Sequence, residues 1–218
     1  MNDIVQRHIK TLAARSDVRA VILFGSRARG NNRPDSDVDL VVILTEGYRR
    51  AIEEHDGLLF EIVYVTEDAA LKFWLNNPDD GYGVWEVAKI LVDKDGCAER
   101  LRNQTSAALA KGKPAIDDFQ RSQLRFDAED QISYAERIAH DDLATAELVL
   151  SNKVFSLAET FFNLRRMWIP GPKQRLALIR KSDPSIAKLF EAFNGASALV
   201  DRIADARALG RALFPQER

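Results

Sequence analysis

Three carboxylates and one glycine turn hold the chemistry that this sequence offers. Asp37 and Asp39 flank Val38 at the head of the apolar run Val-Asp-Leu-Val-Val-Ile-Leu. Side chains on a strand alternate between faces, so the two acids point the same way, about 7 Å apart along the backbone. Two like charges on one face repel unless a cation lies between them, and a pair of divalent ions ~4 Å apart suits that spacing. Ligands that are all oxygen select a hard ion such as magnesium. Taken alone, Asp-x-Asp is equally a solvated strand entrance. Glu61 changes the balance: it lies inside Leu-Leu-Phe-Glu-Ile-Val-Tyr-Val, where an isolated carboxylate is expected to be buried at severe cost. A metal shared with Asp37 and Asp39 answers that cost. An ion pair with an arginine is the competing answer.

The turn is Leu23-Phe-Gly-Ser-Arg-Ala-Arg-Gly30. Gly25 and Ser26 directly follow a β-branched run, and a tight turn there exposes backbone N–H groups that hold phosphate oxygens. Arg27 and Arg29 stand beside it, with guanidinium groups suited to a triphosphate. Gly25 and Gly30 also match the start of a Walker A loop. Asn31 and Asn32 occupy the places of its lysine and hydroxyl residue, so a P-loop reading fails.

The elements that must position these residues can be read from periodicity. An amphipathic helix over 3–15 precedes a buried strand over 18–24. Residues 26–36 form a loop with room for one helical turn. Strands follow over 37–44 and 58–65. Thr66 caps a helix over 67–75, residues 76–83 make a turn-rich break, and a fourth strand covers 87–92. A helix over 98–110 completes a four-stranded α+β unit.

From Pro114 onward the pattern is helical throughout. Leu143, Ala146, Leu150, Val154, Leu157, Phe161, Leu164 and Trp168 recur at steps of three or four residues, a seam that reads as a helical core or as a dimer interface. Ile169-Pro-Gly-Pro172 breaks it. Shorter helices are expected over 173–181, 185–193 and 196–212, with Asp183 capping the second ahead of Pro184. The expected organisation is a small mixed sheet domain over 1–112 followed by an all-α bundle over 113–218.

Phe-Gly-Ser-Arg-Ala-Arg-Gly followed by Ser-Asp-Val-Asp-Leu resembles the signature of the DNA polymerase beta-like nucleotidyltransferase superfamily, over about residues 22–43 with a third acid at Glu61. The nearest likeness is to small bacterial members, the minimal and the antibiotic nucleotidyltransferases. The resemblance implies a fold in which Gly25 and Ser26 hold the outer phosphates of a nucleoside triphosphate, ATP first among them. It implies that Asp37 and Asp39 bind two magnesium ions, and that Glu61 either completes the metal site or takes the acceptor's proton. Family members often carry Asp at that third position.

The acceptor is less legible. Residues 127–147 are rich in acids, with Arg137 the sole Arg or Lys; this face is either solvated or attractive to a cationic acceptor. Arg165, Arg166, Lys173, Arg175, Arg180 and Lys181 form a basic stretch without acids, either solvated or able to grip RNA phosphates or the nucleotide. Trp74, Tyr82 and Trp85 either pack the sheet edge or stack a base. The functional readings are an active enzyme with an antibiotic-like acceptor, a toxin that modifies tRNA or protein, and a non-catalytic antitoxin-like nucleotide-binding regulator.

Of the 218 residues 46% are hydrophobic and 29% charged, with a net charge of -2, so no global positive field draws the protein to nucleic acid. Cys97 is the only cysteine, which excludes an internal disulfide and is expected to be an inert thiol. No run approaches the ~18 apolar residues of a membrane span. The first residues lack the apolar core of a signal peptide, and a cytoplasmic protein is expected. His8, His55 and His140 share no ligand spacing and are expected at the surface.

Overall fold

A computed structural model describes residues 3–215, which form two compact units that divide after Gly112. The first unit runs α1 (Asp3–Ala14), β1 (Val18–Phe24), α2 (Gly25–Arg29), β2 (Val38–Leu44), β3 (Arg49–His55), β4 (Leu58–Thr66), α3 (Glu67–Asn76), α4 (Pro78–Trp85), β5 (Lys89–Asp93) and α5 (Cys97–Leu109). Its sheet has the order β3-β4-β2-β1-β5, with β2 and β4 parallel and the other neighbours antiparallel.

Each face of the sheet has its own apolar core, because alternation sends successive side chains to opposite sides. Val38, Leu40, Val42, Phe60, Ile62 and Tyr64 pack with Val5, Ile9 and Leu12 of α1. Val41, Ile43 and Val65 pack with Ala70 and Trp74 of α3 and with Ala98 and Leu101 of α5. Val5, His8, Ile9 and Leu12 are the buried residues of α1, spaced as one helical face.

The sheet has five strands where four are expected. The additional one, β3, is Arg-Arg-Ala-Ile-Glu-Glu-His, too polar to read as a buried strand. It can be so polar because it is an edge strand, paired only with β4. A two-residue turn joins them: Asp56 and Gly57 have φ of 52° and 76°, the backbone that a tight hairpin demands. Residues 76–83 are likewise a correction, since α4 fills most of the expected break. Pro78 sits at its first turn with Asp79 and Asp80; these are turn-forming residues, but they are also residues that start helices. Thr66 accepts from the Ala69 N–H at 3.4 Å and caps α3.

The second unit is a bundle of α6 (Asp118–Ile138), α7 (Leu143–Leu164), α8 (Pro172–Ser182), α9 (Pro184–Gly195) and α10 (Leu199–Leu213). A capping box of Asp117 and Gln120 starts α6, and Asp142 and Asp183 accept from the first turns of α7 and α9. The seam of α7 is core: Ala146, Leu150, Val154, Leu157 and Phe161 are buried with Ile179, Phe190 and Leu209. It is shorter than its periodicity suggests. Leu143 is exposed, and the helix ends at Leu164, with Arg166 in the left-handed region at φ 56°, so Trp168 lies beyond it. Among the described residues no helix is long and apolar enough to cross a membrane.

Candidate active site

The parallel pairing of β2 and β4 sets Asp39 opposite Glu61. Both side chains lie on the sheet face opposite Leu40, Phe60 and Ile62, and Asp37, just ahead of β2, joins them. One carboxylate oxygen from each of Asp37, Asp39 and Glu61 lies within 4.8 Å of the other two. Among the described residues no arginine pairs with Glu61, which leaves the ion-pair explanation without support. The expectation that Glu61 is buried is wrong. Its apolar neighbours occupy the other face or the flanks, and Glu61 itself is exposed while Asp37 and Asp39 are partly buried. Three carboxylate oxygens brought this close offer the all-oxygen ligand set that a divalent cation takes. The donor set fits a hard ion.

Gly25 touches this cluster directly. Its φ is +68°, in the left-handed region, and a Cβ built on it falls 1.9 Å from Asp39 Oδ2. Only glycine permits both the backbone conformation and the approach. Strand β1 feeds this turn, with Phe24 paired to Asp39 across the ladder. Ser26 comes next. Its hydroxyl oxygen is buried and has no hydrogen-bond partner among the described residues, while its carbonyl accepts from the N–H groups of Gly30 and Asn31 at 3.0 and 3.3 Å. A buried hydroxyl without a partner is costly unless a ligand completes it.

The two arginines that flank the turn also hold its surroundings together. Arg27 donates through Nε to the carbonyls of Ser36 and Asp37 at 3.1 and 3.0 Å, and through Nη2 to Ser36 at 2.6 Å. It thus clasps the loop that delivers Asp37. Arg29 donates to Glu86 at 3.0 Å, and the Tyr82 hydroxyl donates to the same carboxylate at 3.0 Å, which ties α2 to the end of α4. Sequence reasoning missed these roles because backbone carbonyls carry no sequence label.

Both charged surfaces in the helical unit are partly paired within the protein. Asp127 meets Lys153, Glu129 meets Arg125, and Glu136 meets Arg207. In the basic stretch, Arg165 pairs with Asp183, Arg175 with Glu159 and Arg180 with Glu191. Trp74 is buried, and its ring meets Trp85 edge-on at 5.3 Å. Cys97 is buried, and burial followed by the Asp95 carboxylate pushes its thiol up to about 12, consistent with an inert group.

His140 is exposed as expected, but His8 is buried and His55 only partly exposed. The His8 and His55 rings meet at a tilt of 37° with centroids 4.2 Å apart, where α1 crosses the face that carries Phe60. The Asp56-Gly57 turn signal, which predicts the hairpin, is what could have revealed this meeting.

Residues 5–96 match the model of the nucleotidyltransferase domain. A protein of Methanocaldococcus jannaschii, named "Putative protein adenylyltransferase MJ1379", is 31% identical over 81 residues, which cover 36% of this chain and 81% of that one. A crystal structure of a nucleotidyltransferase-like protein from Exiguobacterium sibiricum aligns with 96% of this chain and 73% of its own, at 16% identity and a TM-score of 0.49. The matched segment contains the glycine turn and all three clustered acids, and the chain belongs to the nucleotidyltransferase domain family of enzymes.

Proposed function

We propose that this protein transfers a nucleoside monophosphate, AMP from ATP in the first instance, to a hydroxyl acceptor with release of pyrophosphate. The carrying observation is the gathering of the Asp37, Asp39 and Glu61 carboxylates within 4.8 Å beside the Gly25 turn. In this reading residues 1–112 are the catalytic domain and residues 113–218 an appended helical domain.

Asp37 and Asp39 hold divalent ions, with magnesium the natural choice for oxygen ligands, and Glu61 either completes that set or receives the acceptor's proton. When bound, such ions neutralise charge on the phosphates and lower the pKa of a coordinated hydroxyl. The backbone of Gly25 and the Ser26 hydroxyl hold the outer phosphates, which gives the buried Ser26 Oγ the partner it lacks. Arg27 keeps Asp37 in place through the loop carbonyls, and Arg29 braces the turn against Glu86 at the end of α4. In the transfer the acceptor oxygen bonds to the α-phosphorus and the α–β bridging bond breaks. Pyrophosphate leaves, and the acceptor's proton passes to a carboxylate or to solvent. Positioning and charge neutralisation supply most of the rate.

The likeness to a protein named as a protein adenylyltransferase favours a protein hydroxyl as acceptor over an antibiotic-like molecule or a tRNA end. Incubation of the purified protein with magnesium, α-labelled triphosphates and each acceptor class tests this. Pyrophosphate release with label on one class is expected, together with a loss of about 10³-fold in Asp39→Asn, because several kcal/mol of charge stabilisation goes with that carboxylate. An Asp39→Asn protein with near-normal turnover removes the cluster from the chemistry. Nucleotide binding without release under every condition selects a regulator instead.

A further inference from the structure

We propose a second metal site, on the opposite face of the sheet from the acidic cluster, in which His8, Glu53 and His55 bind one zinc-class transition-metal ion. One donor atom from each of the three lies within 4.8 Å of the other two. Two imidazoles and a carboxylate form a borderline donor set, which suits zinc better than magnesium.

The placement follows from strand register. Glu53 pairs with Phe60 and His55 with Leu58, so both side chains share the Phe60 face, under α1. Glu61 pairs with Ile52 and points the other way. The two clusters are therefore separate sites and not one extended patch.

The independent observation is at His8. The residue is 9% exposed, and its Nε2 is buried without a hydrogen-bond partner among the described residues. Contacts with His55 and with Phe60, the latter at 4.4 Å between centroids, account for its burial but leave that nitrogen unsatisfied. Burial, then the nearby His55, push His8 below the ordinary imidazole value against an upward pull from Glu53.

The remaining partners resemble the outer support of a metal centre. His55 Nε2 lies 3.3 Å from Glu53 Oε2, while Glu53 Oε1 accepts from the Tyr64 hydroxyl at 3.2 Å and from Arg49 at 2.8 Å. One carboxylate oxygen is thereby oriented and the other faces the imidazoles. A cleft of about 580 Å³, also lined by Arg7, Arg15 and Arg49, opens onto the three donors, giving an ion and its water a way in. An ion here would link α1 to the β3–β4 hairpin.

The test uses the full chain with saturating magnesium, which occupies the all-oxygen cluster, and titrates cobalt(II) and zinc. One equivalent of cobalt giving the intense visible bands of a four-coordinate site, displaced by zinc, is expected, with a zinc-dependent rise in melting temperature. Both signals should disappear in His55→Gln and in Glu53→Gln, which alter partly exposed residues and keep the fold, as far-UV circular dichroism checks. Weak six-coordinate bands, a thiolate charge-transfer band from Cys97, or a full signal in His55→Gln would overturn the proposal. So would an absence of binding at micromolar zinc.

Discussion

At the scale of single residues the site rests on contacts of unequal legibility. Asp37, Asp39 and Gly25 are readable because strand alternation and a glycine after a strand are properties of sequence. The exposure of Glu61 is not, because apolar neighbours on a strand indicate the other face and not its own. Ser26 offers the sharpest test at this scale. Its hydroxyl is buried and without a partner, so Ser26→Ala removes an unsatisfied group and should leave the unfolding free energy unchanged or slightly higher. If that hydroxyl meets a phosphate, the same change weakens triphosphate binding about 10–100-fold, the worth of a hydrogen bond to a charged group. Calorimetric titration with a non-hydrolysable triphosphate, next to a denaturant melt, separates the two effects. Equal affinity in both proteins would place the phosphates elsewhere.

At the scale of elements, strands and helices with clean periodicity are legible, and those with mixed signals are not. Strand β3 is hidden because an edge strand bears no burial pattern. Helix α4 is hidden because proline, asparagine and aspartate serve turns and helix starts alike. Ion pairs then tie elements together in ways that periodicity cannot show. Glu67, at the first turn of α3, accepts from Arg100 of α5 at 2.8 and 2.9 Å and from Arg19 of β1 at 2.8 Å. The Arg100 hydrogen bonds, opposed by burial and aided by Arg19, hold its carboxyl below the ordinary value of 4.5. A depressed folded-state value means that this contribution is complete above about pH 4.5 and is lost as pH falls through the folded value. Denaturant melts across that range should show wild type losing stability on acidification, with a shallower loss in Glu67→Gln. Parallel curves for the two proteins would show that the cluster contributes nothing to the pH dependence.

At the scale of the molecule, each unit carries its own core. The sheet unit has one on either face, and the helical unit has one centred on α7. The change of character near Pro114 is legible from composition, since β-branched alternation stops there. The order of strands within the sheet is not, because the parallel pairing of β2 with β4 depends on a hairpin folding back outside them. Phe161, fully buried in α7, tests the helical core: Phe161→Ala should cost about 3–5 kcal/mol, read as a lower denaturation midpoint at constant slope. A change within 0.5 kcal/mol would mean that the site lies outside the cooperative core.

Two glycines of the turn share a backbone conformation and differ in their surroundings. Gly25 abuts Asp39, while a Cβ on Gly30, at φ +82°, meets nothing within 4 Å. Every missense allele at codon 25 adds bulk where there is no vacancy, whereas asparagine and aspartate enter left-handed positions readily. Saturation libraries at the two codons, sorted for nucleotidyl transfer, should return glycine alone at 25 and a polar assortment at 30.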